Sequence, residues 1–420
     1  MMDVKDAIRN FYDSLTLQHK LCKDIREEVP VEDVNRAVDV LANYLKRDGI
    51  VRRIHVISKG RSRLSTLSPM QWLYNQCVDN NPFAISTLED SIVQHLSNES
   101  LAIINSASGE TDKVNKYLKE AIKRKSELFL ITEDEEAAAY RLVETAGGLT
   151  IVLGSTRKSD SELTEKYEDL LPLGSPFEYQ SMIFLDSLIP EVVKRIEGTY
   201  DGGCSEYYRM LDALENSVKL VCNRGWVEDG FLRNWIYQLT DRHGEYIFCG
   251  FSRSGHIADE IKIRFRHLVG PHVCTYGGSD QGKLKTGDVL FIVSGTGNTL
   301  DVIDAAKDAL CLYEEGGELK RKSGPKQPID IFGISANPNS LLRGALATVG
   351  QQDNLLLVPV PQEYEELYEE LDIYVIESNS KKVRHPIFEN VAYVTGNAII
   401  SALEAEKGVI GQVHFKEEHQ

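Results

Sequence analysis

Two stretches of the chain decide the fold: LAIINSASGET at 101–111 and VLFIVSGTGNT at 289–299. Each is a short apolar run that leads into the pattern Ser-x-Ser/Thr-Gly-x-Thr. Apolar runs without alternation are typical of parallel strands that are covered by helices on both faces. The residues after each loop carry apolar side chains at helical spacing, from Val114 to Ile122 and from Ile303 to Tyr313. Each stretch therefore predicts a buried strand, a tight loop and a helix, in that order.

Other pairs of similar stretches occur in the same order around these two loops. The pairs are RRIHVISKGRSR (52–63) with GEYIFCGFSRSG (244–255), LFLIT (128–132) with IDIFGIS (329–335), and PFEYQSMIFLDSLI (176–189) with IFENVAYVTGNAII (387–400). The offsets between the four pairs are 192, 188, 203 and 211 residues, so they differ only by the length of a loop. The alternative is coincidence between ordinary α/β segments, but four matches in one order favour an internal duplication.

The duplication predicts two domains, residues 1–198 and 199–420, with the boundary in the Gly-rich stretch EGTYDGG (197–203). Helical extensions are expected at the start of each copy, at about 3–46 and 203–240. The stretch EEGGELKRKSGPKQP (314–328) is expected to be a surface insertion. The predicted fold class is α/β, with two tandem parallel sheets that are each flanked by helices and are related by duplication.

Charge, apolar runs and cysteine spacing argue against several classes of protein. The 420 residues include 47 Lys and Arg against 64 Asp and Glu, for a net charge of −17, which argues against binding to nucleic acid or to an anionic membrane. No apolar run has the length of a membrane span, and the N-terminus does not resemble a signal peptide. The seven cysteines are scattered and show no metal-ligand spacing. We therefore expect a cytoplasmic protein with no metal and no cofactor.

The two Ser/Thr-rich loops suit an anion. The first turn of a helix leaves backbone N–H groups unpaired and carries partial positive charge, and small residues let a phosphate approach it. The sequence matches neither a Walker loop nor a Gly-x-Gly-x-x-Gly loop, so a nucleotide is not indicated. The alternative is that these residues only cap the helices. The candidate phosphate-binding residues are Ser106, Ser108, Gly109 and Thr111 in the first copy and Ser294, Thr296, Gly297 and Thr299 in the second.

These loops, an Arg-Ser pair after an earlier strand and a downstream Phe-Glu together resemble the sugar isomerase (SIS) domain, in two copies that cover nearly the whole chain. The segments PLGSPFEYQSMIFLDSLI (172–189) and SRSGHIADEIKIRFRHLVG (252–270) are most similar to 6-phospho-3-hexuloisomerases, which are usually single-domain chains. The resemblance implies flavodoxin-like domains that bind a phosphorylated sugar. It also implies that the domains form oligomers. Here the two copies within one chain would form a pseudo-dimer, and two chains would form a homodimer of such pairs.

Isomerisation of a phosphosugar moves a proton between neighbouring carbons through an enediolate, and one carboxylate can serve as base and then as acid. Glu178 and Glu389 each follow a Phe at the start of an apolar helix, and the resemblance places its catalytic glutamate there. The alternative is that these glutamates only stabilise the helix dipole. Glu389 departs from the pattern because HPI precedes its Phe-Glu in place of PLGSP.

The two Arg-Ser pairs, Arg61 with Ser62 and Arg253 with Ser254, are candidates to bind the phosphosugar, with the arginines neutralising the phosphate or the enediolate oxygen. The alternative is that these arginines are solvated charges on turns. His267 matches a histidine of the family and is a candidate for proton transfer, although a histidine at a helix C-terminus also suits the dipole.

The two copies differ near these residues. The first copy has Asn75 where the second has His267, and Arg63 where the second has Gly255. The two sites are therefore expected to be unequal. The predicted function is a phosphosugar isomerase, most specifically one that converts 3-hexulose 6-phosphate to fructose 6-phosphate. The alternatives are a phosphosugar sensor without catalysis and an amino-sugar phosphate isomerase.

Overall fold

A computed structural model describes residues 4–48, 52–77, 81–88, 90, 95–154, 175–224, 231–240, 244–279, 281–322, 329–360 and 386–407. The chain divides into two compact units. Unit A consists of Gln18–Glu215, and unit B consists of Met1–Leu17 together with Asn216–Gln420. Unit A contains residues 18–198 of the first copy, and unit B contains residues 216–420 of the second copy. The first residues of each copy, 1–17 and 199–215, belong to the other unit. Each sheet nevertheless lies within one unit, so the duplication is visible in the fold.

Unit A contains a parallel sheet of five strands in the order β2-β1-β3-β4-β5. This is the flavodoxin-like order 2-1-3-4-5. All six residues of β3 are buried, as expected for a central strand with helices on both faces. The strands are β1 (Arg53–Ile57), β2 (Ala84–Thr87), β3 (Ser100–Asn105), β4 (Glu127–Thr132) and β5 (Leu149–Val152).

The helices of unit A lie on both faces of this sheet. On one face, apolar residues of β1, β3 and β4 pack with α4 and α5. Elsewhere in the unit α3 packs along α6, which also contacts α2. The helices are α1 (Val4–Glu28, of which residues 18–28 belong to this unit), α2 (Val31–Leu45), α3 (Gly60–Cys77), α4 (Asp112–Lys123), α5 (Ala138–Thr145), α6 (Ser175–Glu197) and α7 (Ser205–Asn223, of which residues 205–215 belong to this unit).

Unit B repeats the same topology. Its five-stranded sheet has the order β7-β6-β8-β11-β12, which corresponds strand by strand to the sheet of unit A. The strands are β6 (Tyr246–Cys249), β7 (Val273–Thr275), β8 (Val289–Val293), β11 (Asp330–Ser335) and β12 (Leu355–Leu357). The remaining helices are α8 (Phe231–Thr240), α9 (Ser252–Val269), α10 (Leu300–Ala309), α11 (Leu341–Ala347) and α12 (Ile387–Lys407), with a 3-10 turn at Gln352–Asn354.

The predicted fold class is confirmed: both units are α/β, with a parallel five-stranded sheet and flanking helices. The insertion at 314–328 contains regular structure that the sequence analysis did not predict. Leu312–Glu315 (β9) and Glu318–Arg321 (β10) form an antiparallel hairpin, and residues 323–328 lie outside the described residues. Gly316 and Gly317 make its two-residue turn, and both have positive φ, as such hairpins require. Among the described helices none has the length and apolar content that a bilayer crossing requires.

The strand order creates a crevice in each unit. In an open parallel sheet, ligands bind at the carboxyl ends of the strands, where neighbouring strands connect in opposite directions. In unit A this point lies between β1 and β3, where Ile57, the last residue of β1, pairs with Ile104. In unit B it lies between β6 and β8, where Cys249 pairs with Ile292. The Arg-Ser pairs and the Ser/Thr loops follow these strand ends in both units.

Candidate functional site

The loop 106–111 joins β3 to α4 and is fixed by the neighbouring strand. The Ser106 N–H donates to the Ile131 carbonyl at 3.1 Å, and the Glu133 N–H donates to the Ala107 carbonyl at 3.0 Å. The Thr132 hydroxyl also donates to the Ala107 carbonyl, at 3.0 Å. These bonds hold the first half of the loop against the end of β4, so the loop has a defined conformation before any ligand arrives.

The loop 294–299 in unit B is fixed in the same way. The Ser294 N–H donates to the Ile334 carbonyl at 3.1 Å, and the Ala336 N–H donates to the Gly295 carbonyl at 3.0 Å. The Ser335 hydroxyl donates to the Gly295 carbonyl at 3.1 Å. The two sequence-predicted loops are therefore the same structural element.

The glycine in each loop is required by conformation and by space. Gly109 has φ +60° and Gly297 has φ +61°, a region that is costly for residues with a side chain. A Cβ on Gly109 would lie 2.5 Å from the Ala137 Cβ, and one on Gly297 would lie 2.6 Å from the Ser340 Cβ. Both loops therefore press against the start of the next helix, α5 or α11, as tightly as a glycine permits.

A side chain from each loop also caps that next helix. Glu110 Oε1 accepts from the Ala138 N–H at 2.7 Å, and Asn298 Oδ1 accepts from the Leu341 N–H at 2.8 Å. These two residues occupy equivalent positions in the two copies. Their side chains are thus directed toward α5 and α11 and brace the loop from its outer side.

The capping explanation for the loop threonines is not supported. Thr111 and Thr299 occupy the N-cap positions of α4 and α10, but neither side chain accepts a hydrogen bond from its helix. Ser108 Oγ accepts from the Glu110 N–H at 3.3 Å, and Thr296 Oγ1 accepts from the Asn298 N–H at 3.1 Å. A hydroxyl that accepts such a bond still has its own proton to donate, so the loop hydroxyls suit an anion at the helix mouth.

In unit A the Arg-Ser pair meets the candidate glutamate. Ser62 Oγ donates to Glu178 Oε1 at 3.0 Å, and Arg61 Nη2 lies 3.5 Å from Glu178 Oε2. The Arg61 and Glu178 side chains are only 6% and 8% exposed, which strengthens their interaction relative to a surface pair. The contact exists because α3 and α6 pack side by side and both begin at the carboxyl edge of the sheet.

Unit B contains the same three residues in the same arrangement. Ser254 Oγ donates to Glu389 Oε1 at 3.1 Å, and Arg253 Nη1 lies 3.9 Å from Glu389 Oε2. Gly396 lets α12 approach α9, since a Cβ there would lie 2.4 Å from Ile261 Cδ1. Residues that are more than a hundred positions apart are therefore brought together twice, as a Ser-carboxylate-Arg cluster beside a Ser/Thr loop.

This cluster can perform proton chemistry next to an anion. The arginine lies 3.5 Å from the carboxylate in unit A and 3.9 Å from it in unit B. The serine hydrogen bond fixes the orientation of one carboxylate oxygen. The arginine also provides positive charge for a developing oxyanion.

His267 does not join this cluster within unit B. It lies in the last turn of α9, fourteen residues after Arg253, which corresponds to about 21 Å along the helix axis. Its counterpart Asn75 occupies the same end of α3. His385 and the segment before Ser175 lie outside the described residues. Within the described ranges no group of three or more His, Cys, Asp or Glu side chains is arranged to hold a metal ion.

The surroundings of the two clusters differ at the rim. Three of the exposed large apolar side chains of unit B lie at the beginning of its helices on this edge: Phe251, Leu300 and Leu341. The equivalent residues of unit A are Lys59, Asp112 and Ala138. The beginnings of the equivalent helices therefore present different surfaces to solvent in the two units.

The sequence analysis missed the side chains that support the cluster of unit A. Asn105, at the end of β3, is fully buried and bonds to α3 and α6. Its signal in the sequence is a polar residue that ends an otherwise apolar strand, where the second copy has Val293. No other feature of the sequence indicates its partners.

Comparisons with known proteins agree with this architecture. No family model matches the chain. An uncharacterized protein of Archaeoglobus fulgidus is 24% identical over 172 residues, which cover 41% of this chain and 84% of that protein. The tagatose-6-phosphate ketose/aldose isomerase of Escherichia coli superposes with a TM-score of 0.57 at 10% identity, over 93% of this chain and 91% of that chain. The C-terminal domain of glucosamine-fructose-6-phosphate aminotransferase from Francisella tularensis gives a TM-score of 0.57 at 12% identity, over 95% of both chains.

Glucosamine-6-phosphate deaminase of Thermotoga maritima gives a TM-score of 0.50 at 11% identity, over 90% of this chain and 95% of that chain. At such identities the similarity establishes the fold. The chain therefore shares, over nearly its whole length, the two-unit α/β fold of solved enzymes of phosphosugar chemistry.

Proposed function

We propose that the protein is a phosphosugar isomerase that works through an enediolate with a glutamate as base. The observation that carries this proposal is the Ser-carboxylate-Arg cluster, which recurs in both units at the crevice of the sheet. In unit A it consists of Ser62, Glu178 and Arg61. A buried, oriented carboxylate next to a helix mouth that suits an anion is the combination that this reaction needs.

The role of each element follows from its chemistry. The loops 106–111 and 294–299 bind the phosphate through backbone N–H groups and hydroxyls, which suits a chain with a net charge of −17 because no general positive field is required. Glu178 removes the proton from the carbon beside the carbonyl and returns it to the neighbouring carbon, and Glu389 is the equivalent candidate in unit B. Arg61 and Arg253 stabilise the enediolate oxygen.

The specific reaction that we propose is the conversion of 3-hexulose 6-phosphate to fructose 6-phosphate. Its support is the similarity of 172–189 and 252–270 to hexuloisomerase segments. The names of the solved relatives include both an isomerase of a ketose phosphate and enzymes of glucosamine 6-phosphate. The substrate test therefore has to include both kinds of sugar.

Proton exchange with solvent tests the proposal directly. The protein is incubated in deuterated water with 3-hexulose 6-phosphate, fructose 6-phosphate, tagatose 6-phosphate or glucosamine 6-phosphate, and NMR follows deuterium at the carbon beside the carbonyl. We expect incorporation with one of these sugars, none with unphosphorylated fructose, and a loss of about 100-fold or more in the double variant Glu178→Gln/Glu389→Gln.

The same samples separate the alternative function. Thermal stabilisation by a phosphosugar without deuterium incorporation in any sample would identify a sensor and refute the isomerase. Incorporation with glucosamine 6-phosphate alone would identify an amino-sugar phosphate isomerase. Neither stabilisation nor incorporation with any phosphosugar would refute both functions.

A further inference from the structure

Asn105 connects the two residues that meet at the cluster of unit A. One contact of its amide nitrogen is with Thr66 Oγ1 at 2.8 Å, and the Thr66 hydroxyl donates to the Ser62 carbonyl at 2.9 Å. Another contact is with Ser181 Oγ at 3.0 Å, and the Ser181 hydroxyl donates to the Glu178 carbonyl at 3.0 Å. The two hydrogens of the amide thus supply two chains of hydrogen bonds, one to the backbone of Ser62 and one to the backbone of Glu178.

Further bonds tie the same turns together. Asn105 Nδ2 also lies 3.1 Å from the Ser62 carbonyl. Ser65 Oγ donates to that carbonyl at 3.1 Å and lies 3.2 Å from Ser181 Oγ. Asn105 directly precedes Ser106, the first residue of the phosphate loop. The network therefore fixes the first turns of α3 and α6 relative to the start of this loop.

Unit B keeps the cluster but not this network. The equivalents of Ser65, Thr66, Asn105 and Ser181 are Ile257, Ala258, Val293 and Ala392. All four polar positions are apolar in the second copy, and they are the positions that contact one another in unit A. The Ser254–Glu389 hydrogen bond remains without them.

Stability does not account for the network of unit A. Asn105 Oδ1 is buried and has no hydrogen-bond partner among the described residues, and such an acceptor is unfavourable. The apolar set of unit B packs the same fold without that cost. What the polar set adds is a fixed orientation of the two helix turns, because hydrogen bonds restrict the angle at which they meet. This orientation matters for catalysis, since a displacement of about 1 Å at a reacting group costs about 100-fold in rate.

We propose that Asn105 is a positioning residue for Glu178 and that the isomerisation takes place in unit A. This inference rests on the proposed function and goes beyond it by assigning the reaction to one of two similar sites. Unit B retains the anion-binding loop. Glu389, however, lacks a hydrogen-bond network like the one through which Asn105 and Ser181 hold the backbone of Glu178.

The test grafts the residues of unit B into unit A. The variant Ser65→Ile/Thr66→Ala/Asn105→Val/Ser181→Ala receives a set that already packs in this fold. We expect kcat to fall about 100-fold with KM within about twofold, because the phosphate loop is unchanged. The matched control is Val293→Ala, at the position equivalent to Asn105 in unit B, which leaves kcat unchanged. Glu178→Gln is expected to lose more activity than Glu389→Gln.

Hydrogen exchange measured by mass spectrometry provides a readout that does not depend on activity. In the graft, amides in the first two turns of α6 (175–182) should exchange about tenfold faster, whereas the urea midpoint of global unfolding stays close to that of wild type. Unchanged protection in these turns, unchanged kcat in the graft, or a larger loss in Glu389→Gln would each overturn the inference. If the wild-type protein turns over no phosphosugar, the proposed function fails and the inference that the reaction lies in unit A fails with it. Hydrogen exchange then decides the role of Asn105 alone.

Discussion

The substitution Gly109→Ala tests whether the loop 106–111, the proposed phosphate site, depends on its close contact with α5. Gly109 combines φ +60° with a Cβ position 2.5 Å from the Ala137 Cβ. Gly147 provides a matched control in the same unit. It has φ +75°, but a Cβ there meets nothing within 4 Å. The two alanine variants therefore share the backbone cost and differ only in the steric overlap.

The magnitudes follow from these two terms. An alanine at positive φ costs about 1–2 kcal/mol, which applies to both variants. Overpacking a close contact costs about 1–3 kcal/mol more, which applies to Gly109→Ala alone. We therefore expect a loss of about 2–5 kcal/mol for Gly109→Ala and about 1–2 kcal/mol for Gly147→Ala.

Urea unfolding measures both losses, and a phosphosugar titration followed by thermal shift measures the consequence at the site. To relieve the overlap, the loop has to move away from α5, so Gly109→Ala should also weaken phosphosugar binding in unit A while Gly147→Ala should not. Equal losses of stability in the two variants, or undiminished binding in Gly109→Ala, would refute the argument that the loop geometry depends on this contact.

Other predictions concern single residues. Burial lowers the pKa of His55 from 6.5 to about 4, so the unfolded chain takes up a proton on this ring at a higher pH than the folded protein does. The stability that is present above pH 6.5 is therefore lost as the pH falls toward 4. The loss is about 2 kcal/mol at pH 5, and urea unfolding should show that His55→Gln removes this part of the pH dependence. Ser252 has φ +54° where unit A has Gly60, so Ser252→Gly should stabilise the protein by about 1 kcal/mol, and a lower urea midpoint would contradict this. Burial, followed by the charge of Asp301, raises the pKa of the Cys249 thiol to about 12, so iodoacetamide at pH 8 should modify it only after unfolding, as mass spectrometry can show.

Much of the fold could be predicted because its signals are local. The apolar runs that became β3 and β8, the small residues of the loops and the helical spacing after them each depend on a few neighbouring residues. Their repetition along the chain made the assignment of two similar sheets possible. The sequence analysis named Ser62 and Glu178 as separate candidates but did not predict their contact, since nothing local relates residues that are 116 positions apart.

The features that were missed depend on contacts between distant elements or on a subtle turn signal. The hairpin at 312–321 was hidden in a charged stretch whose Gly316-Gly317 pair is its only strong indicator. The role of Asn105 depends on hydroxyls contributed by α3 and α6, and these side chains look like ordinary helix residues in the sequence. The distance of His267 from Arg253 follows from helix length alone, and so could have been deduced once both were assigned to one helix.

The proposed assignment of the reaction to unit A separates anion binding from proton transfer, and this separation has a physical reason. A helix N-terminus that suits an anion is mainly a property of the backbone. It needs a glycine in close contact with the next helix, small neighbouring residues and a loop held by hydrogen bonds, and both units have all three. The bracing even uses different side chains for the same task, Glu110 in one unit and Asn298 in the other. Proton transfer makes a stricter demand, because it requires a side chain to be held at a defined angle. A duplicated fold can therefore change its buried polar residues in one copy and keep the affinity for an anion there, while the ability to move a proton remains with the copy that keeps them.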